Sequence, residues 1–414
     1  MDNPLLSLGK GTRGIVSVCT AHPVAIAAAL EEANAHNQHA LIEATCNQVN
    51  HDGGYTGMQP ADFVNIVNRI ADEVGFPVEK LIFGGDHLGP NPWRHLPADQ
   101  AMAEAKKMMA AYVEAGFRKL HLDCSMGCKG EPVALDDTVT AHRAAELCAV
   151  AESISRDGLY IIGTEIPPPG GAHEEIDALQ PTSAGAVRET YAVHKEVFEQ
   201  AGLRDAYQRV IAIVVQPGVE SAQMSVVFYD PSKVRELVGA LAHMPGLIFE
   251  AHSTDYQTPS ALKALVDDRF SILKVGPCLT YAVRETLYGL EMACHDLDGG
   301  PLDLRDTMER LMQADPGPLK DHVHGDEALQ ASQRHFGFSD RIRYYWPHPD
   351  AQKAVSDLED RLRKNGPHAG VLSQYIGTDL IIEALAEGID LADAASLCRL
   401  AARRMVRPWS EACS

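Results

Sequence analysis

Eight times in its first three-quarters, the sequence runs through one unit. A short β-branched or apolar stretch ends in polar residues, and an Ala-rich segment with helical spacing follows. The strand-forming stretches are Gly14–Cys19, Ala40–Ala44, Lys80–Phe83, Lys119–Asp123, Tyr160–Glu165, Val210–Gln216, Leu247–Ala251 and Ser271–Val275. Between them, segments such as Val24–Ala35, Phe63–Val74 and Ala101–Ala115 carry apolar residues at the helical period. Pro23, Pro60, Pro231 and Pro259 stand at or near helix starts, where a missing N–H costs nothing, and Gly75, Gly116 and Gly202 close helical runs.

Strands that alternate with helices form a parallel sheet with right-handed crossovers. Eight such units match a (β/α)8 TIM barrel, which takes roughly 250 residues. An open doubly wound sheet is the alternative, but no G-x-G-x-x-G follows the first strand. After Leu297-Asp298-Gly299-Gly300-Pro301 the repeat stops. Residues 301–414 read as helices, at Leu302–Gln313, Asp350–Lys364, Gln374–Ala386 and Ala392–Met405. The expected organisation is therefore a barrel over 1–300 and a helical C-terminal extension over 301–414, packed on the barrel and able to cover its mouth.

Charge narrows the partners. Among 414 residues, 57 Asp and Glu face 36 Lys and Arg, a net charge of −21, which argues against nucleic acid. Nine dispersed Cys without a CxxC pair read as reduced thiols. No basic-then-apolar leader opens the sequence, and no apolar run is long enough to span a membrane. The expectation is a cytoplasmic protein without a membrane partner. Oligomeric state stays open, with a homo-oligomer among the possibilities.

In a (β/α)8 barrel, functional side chains gather at the C-terminal ends of the strands. Here those ends carry Glu43, Asp86-His87, His121 with Asp123, Glu165, Gln216, Glu250 with His252 and Asp255, and Lys274. Placing such groups there is costly unless they pair or hold a metal. Residues two apart share a face of a strand, so Glu250 aligns with His252 and His121 with Asp123. Asp86 and His87 are adjacent, and Gly84-Gly85 before them allows a kink that brings both to the mouth. Histidines from different strands with carboxylates, and no matching Cys set, suit a divalent metal with an open position. Glu165 could instead serve a salt bridge within the barrel. Arg341, Arg343, Tyr344 and Tyr345 form the densest basic and aromatic cluster, suited either to a sugar phosphate or to an interdomain salt-bridge cluster. No G-x-x-x-x-G-K-[ST] loop for a nucleotide is present.

The blocks IEATCNQV, GGYTGM, GGDHLGP, HLDCSMGC, GTE with PPPGGAH, VVQPGVE, FEAHSTDYQT, LKVGP and SDRIRYYWP together resemble the non-catalytic (Z) subunit family of class II D-tagatose-1,6-bisphosphate aldolase, the GatZ/KbaZ family. The likeness runs from about residue 14 to past 375. It implies one of three activities in tagatose metabolism. Members act as the partner of an aldolase's catalytic subunit, as metal-dependent epimerases of tagatose 6-phosphate and fructose 6-phosphate at C4, or, in older naming, as tagatose-6-phosphate kinases. The epimerase is the reading preferred here, because a pure scaffold has no use for the polar mouth and the kinase lacks a nucleotide loop.

A looser resemblance to class II aldolases matches Asp86-His87, His252 and the run at Lys274. It departs at Gln216, where those enzymes carry a zinc His, and at Ser253-Thr254-Asp255, which replaces a Gly-rich phosphate loop. The resemblance implies His87 and His252 on a divalent metal, zinc or another transition metal, with Glu165, Glu250 or Gln216 as third ligand, and one of the two glutamates is the expected choice. It implies Asp86 as a base; the need of C4 epimerisation for a second acid–base group adds Asp123, with Glu43 and Asp255 as further candidates at the mouth. Lys274, Arg341, Arg343, Tyr344, Gln216 and Ser253 would bind a phosphorylated ketohexose.

Overall fold

The computed structural model describes residues 3–10, 13–164, 179–366 and 368–414. Eight parallel strands close into a barrel: β1 (Ile15–Cys19), β2 (Ala40–Thr45), β3 (Leu81–Leu88), β4 (Lys119–Leu122), β5 (Leu159–Gly163), β6 (Val210–Val215), β7 (Ile248–Ala251) and β8 (Phe270–Val275). Each strand pairs with its sequence neighbours, and β1 pairs with β8 to seal the ring. All eight anticipated strands are present. The third runs beyond Phe83, because Gly84-Gly85-Asp86 keep pairing with Glu43-Ala44-Thr45 of β2. A two-residue ribbon, Glu220–Ser221 with Val226–Val227, follows β6 and was not expected.

The barrel interior is layered. Ile15, Leu41, Ile82, Leu159, Ile161, Ile248 and Ile272 form an apolar lower layer together with Leu5 and Leu8, from a 3-10 helix at Pro4–Lys10. Two residues further along the same strand faces, Leu41 gives way to Glu43, Ile248 to Glu250 and Ile272 to Lys274. The change from oil to charge thus happens inside the ring, one side-chain layer below the mouth.

Beyond β8, a 22-residue helix, Pro277–Asp298, is shared between the barrel and the C-terminal helices: its Val283, Leu287, Leu290 and Cys294 lie in a second hydrophobic core with Met308, Leu358, Leu372 and Leu397. The sequence reading misses the helix Glu327–Phe336 and merges two others: Gly377, at φ 87°, separates Ala369–Ile376 from Thr378–Ala386. The last helix, Ala394–Ala412, continues through Pro408 past its expected end. Proline inside a helix costs about 3 kcal/mol, which burial of Trp409, Ala412 and Cys413 against the barrel offsets. Trp409, 1% exposed, donates from Nε1 to Thr254 Oγ1 at 2.9 Å, and Cys413 O accepts from Gly14 N at 3.3 Å. Among the described residues, no helix is long and apolar enough to cross a membrane.

Trp409→Ala should cost about 3–5 kcal/mol in a chemical denaturation experiment, the range for deleting a fully buried large aromatic. A loss under about 1 kcal/mol would mean that this helix end does not brace the β7 loop.

Candidate active site

The floor of the mouth is a chain of alternating charges. Lys119 Nζ lies 2.7 Å from Glu43 Oε1 and 2.7 Å from Glu250 Oε2, all three side chains without solvent exposure. Lys274 Nζ donates to Glu43 Oε2 at 2.9 Å and pairs with Asp86 Oδ2. Burial works against a charged Lys119, but Glu250 and Glu43 outweigh it and raise its pKa. Glu250 in turn is held low despite burial, by Lys119 and by the hydrogen bond from His252. The arrangement needs Gly84: a Cβ there would lie 2.6 Å from Glu43 Oε1.

Three imidazoles stand above this floor, with ring centroids 4.9–5.3 Å apart: His87, His121 and His252. The expected kink in β3 exists, but it falls at His87 rather than at the glycines. The β3–β4 register jumps between Gly85 and Leu88, and His87 takes φ 47°, a left-handed conformation uncommon for a non-glycine residue. The bulge turns Asp86 and His87, neighbours that would face opposite ways, to the same end of the barrel.

Each ring has one nitrogen tied by an acceptor. His87 Nδ1 meets Asp123 Oδ2 at 2.8 Å, His121 Nε2 meets Gly163 O at 3.0 Å, and His252 Nε2 meets Glu250 Oε1 at 2.9 Å. In the neutral rings these nitrogens carry the protons, so His87 Nε2, His121 Nδ1 and His252 Nδ1 carry the lone pairs. Histidines backed in this way are the usual metal ligands. The assignment for His121 is independently supported, since its Nδ1 accepts from the His87 backbone N–H at 3.2 Å. That same Nδ1 sits 3.0 Å from Asp86 Oδ1, one acceptor facing another, with only a proton or a cation able to reconcile them.

Charge points the same way. Among the described residues, the connected network holds four carboxylates (Glu43, Asp86, Asp123, Glu250) against two ammonium groups (Lys119, Lys274), before any charge on the imidazoles. Asp86, His121, Glu250 and His252 offer ligand atoms within 4.8 Å of one another, and His87, His121 and Asp123 do the same. This donor set fits a divalent cation. Burial lowers the His252 pKa to about 3, so it is neutral. At His87 burial also opposes protonation, but Asp86 and Asp123 outweigh it and raise the pKa.

The remaining expected residues fall in distinct places. Asp123 accepts from Ser125 Oγ at 2.6 Å as well as from His87. Ser253, at φ 53°, follows His252 and is half-buried. Gln216 turns its carboxamide oxygen back to the N–H groups of Gly218 and Val219, at 2.8 and 3.0 Å. Asp255 accepts from Gly276 N and Cys278 N, and burial raises its pKa against those bonds. Glu165 lies outside the described residues.

Arg343, Arg341 and Tyr344 come to the β1–β2 side of the mouth. The Tyr344 ring lies 4.6 Å from that of Tyr55, and both arginines lie over Tyr344. Arg343 lines a cavity of about 450 Å³ with Thr20, Tyr55, Thr56 and Trp346. Arg341 is anchored to Pro318 O at 3.2 Å.

Sequence reasoning assigned no role to Lys119, His121 or Tyr55. Lys119 shares its strand face with His121 and Asp123, the one signal that could have found it.

A closed (β/α)8 barrel whose C-terminal mouth gathers three backed imidazoles and a carboxylate defines a TIM-barrel protein with a candidate metal centre. More narrowly, the chain belongs to the D-tagatose-1,6-bisphosphate aldolase subunit GatZ/KbaZ-like family, which it matches over residues 8–414. A relative from Agrobacterium fabrum, D-tagatose 6-phosphate 4-epimerase, is 55% identical over 371 residues, covering 88% of this chain and 87% of that one. The crystal structure of a probable tagatose 6 phosphate kinase from Sinorhizobium meliloti 1021 is similar at a TM-score of 0.88 and 47% identity, over 97% of this chain and 100% of that one.

Lys119→Met should destabilise the protein by about 3–5 kcal/mol, because it leaves Glu43 and Glu250 buried without their shared partner. Urea denaturation measures this, and an unchanged midpoint would show that the two glutamates do not need the lysine.

Proposed function

We propose that this protein is a divalent-metal-dependent epimerase that interconverts tagatose 6-phosphate and fructose 6-phosphate at C4. The observation that carries the reading is the cluster of Asp86, His121, Glu250 and His252, with His87 and Asp123 beside it, in a chain 55% identical to a tagatose 6-phosphate 4-epimerase. His121 and His252, with His87 beside them, would hold the cation, zinc or another transition metal. Glu250 stands behind His252 and Asp123 behind His87. When bound, the cation supplies Lewis acidity toward the ketose oxygens at C2 and C3.

The C4 hydrogen of a 2-ketose is β to the carbonyl and is not acidic, so simple deprotonation cannot invert C4. Breaking the C3–C4 bond avoids this: the C4 hydroxyl loses its proton, an aldehyde forms at C4, and C2–C3 becomes an enediolate. The aldehyde then rotates and re-forms the bond from its other face. Asp86 takes the hydroxyl proton, kept ionised against burial by His87 and by Lys274 beneath it. Asp123, 12% exposed against 1% for Asp86, serves the opposite face. Arg343, Arg341, Tyr344 and Ser253 bind the phosphorylated end and the hydroxyls. Glu43, held between Lys119 and Lys274, and Gln216, engaged by backbone N–H groups, keep structural roles, and Asp255, held by two backbone N–H groups, is not the acid or base. We place the enzyme in the cytoplasm.

The family description favours a second reading, a subunit that supports a catalytic tagatose-bisphosphate aldolase partner.

Incubation of the metal-loaded protein alone with fructose 6-phosphate, followed by NMR, should yield tagatose 6-phosphate, and a chelator should abolish the conversion. No conversion with any divalent metal rejects the epimerase and leaves the subunit reading, tested by adding the catalytic partner. Asp86→Asn should lower turnover by about 100-fold or more while metal content, measured by elemental analysis, is retained on the three histidines. Full activity in that variant would remove Asp86 from the proposed base role.

A further inference from the structure

In (β/α)8 barrels the loops after strands 7 and 8, with the N-terminus of a following helix, commonly form a phosphate cradle, because unpaired N–H groups and the helix dipole favour an anion there. This chain has the parts. Helix Pro277–Asp298 begins directly after β8, its first residue is a proline without an N–H, and its N-cap, Gly276, has no side chain to cap it. The neighbouring donors are already taken. Asp255, from the β7 loop, accepts from Cys278 N at 2.8 Å and from Gly276 N at 3.2 Å through one oxygen, and is 2% exposed.

The surrounding backbone leaves no room to widen the cradle. A Cβ on Gly276 would lie 2.5 Å from Cys19 O of β1. The β7 loop is held by Thr254, whose Oγ1 donates to Lys274 O at 2.6 Å and accepts from Trp409. Lys274, the cation nearest this position in sequence, is committed to Glu43 and Asp86.

We propose that Asp255 is a specificity-determining residue: its carboxylate fills the β7–β8 anion cradle, so the site accepts a ketose with one phosphate and rejects one with a second phosphate at C1. The single phosphate then goes to the adjoining cavity on the β1 side, lined by Arg343, Thr20, Tyr55 and Thr280. This inference rests on the phosphoketose reading above. It adds a reason why a chain of this family handles monophosphates: the second anion is built into the protein, where a substrate phosphate meets like charge and occupied donors.

The test is calorimetric binding to the metal-loaded protein, with fructose 6-phosphate and fructose 1,6-bisphosphate as probes. The wild type should bind the bisphosphate at least about tenfold more weakly. Asp255→Asn, which keeps an oxygen on the two N–H groups but loses the charge, and Asp255→Gly, which empties the cradle, should each narrow that ratio, the glycine variant more. A residue that merely caps the helix would leave the ratio unmoved in the asparagine variant. Equal wild-type affinities overturn the inference even if neither variant folds, and so does an unchanged ratio in folded variants. Wild-type protein that binds neither sugar phosphate overturns the phosphoketose reading, and this inference with it.

Discussion

The mouth of this barrel rests on one buried ammonium group. Lys119 sits between Glu43 and Glu250 at 2.7 Å from each, with no solvent on any of the three. Two carboxylates in an interior of low dielectric repel and are poorly solvated unless a cation stands between them. Glu43 then holds Lys274, which pairs with Asp86, and Glu250 holds His252. Asp86 and His252 are thus each oriented by a charged group beside the buried lysine.

That layer sets the state of the groups above it. His87 and Lys274 keep Asp86 ionised, and Glu250, Asp123 and the Gly163 carbonyl each tie up one nitrogen of an imidazole. Among the described residues, His121 Nδ1 and Asp86 Oδ1 face each other at 3.0 Å. A carbohydrate-metabolising role for such a barrel draws on this preorganisation, because a ketose brings hydroxyls and a carbonyl but no charge at the carbons that react.

Most of the architecture was legible because strands and helices have different periods, and the eightfold alternation of the two admits few closed forms. Glu43, Asp86, His87, Asp123, Glu250, His252 and Lys274 could be named because polar residues ending an apolar strand are costly without a purpose. Less legible was what each one faces. Gln216 read as a substrate contact, yet its carboxamide folds back on its own loop. Asp255 read as a possible acid or base, yet it caps the next helix. Lys119 read as the polar start of a strand, because nothing local shows that Glu43, 76 residues earlier, and Glu250, 131 residues later, lie beside it. The helix Glu327–Phe336 escaped notice because it is mostly polar: only Arg334 and His335 in it are buried.

By itself, then, the chain's order of residues determined the barrel, the end of it that carries the polar groups, and the kinds of donor found there. These follow from local periodicity and from the two-residue repeat of a strand, which need no knowledge of distant contacts. The tertiary structure alone decided which donors share a centre and which are spent elsewhere. Closing the ring sets Lys119 between two glutamates, the bulge at His87 turns its imidazole to the mouth, and the start of the helix after β8 claims Asp255. Each outcome depends on backbone direction and on partners from separate strands, and distance through space, not along the chain, governs electrostatics and metal binding.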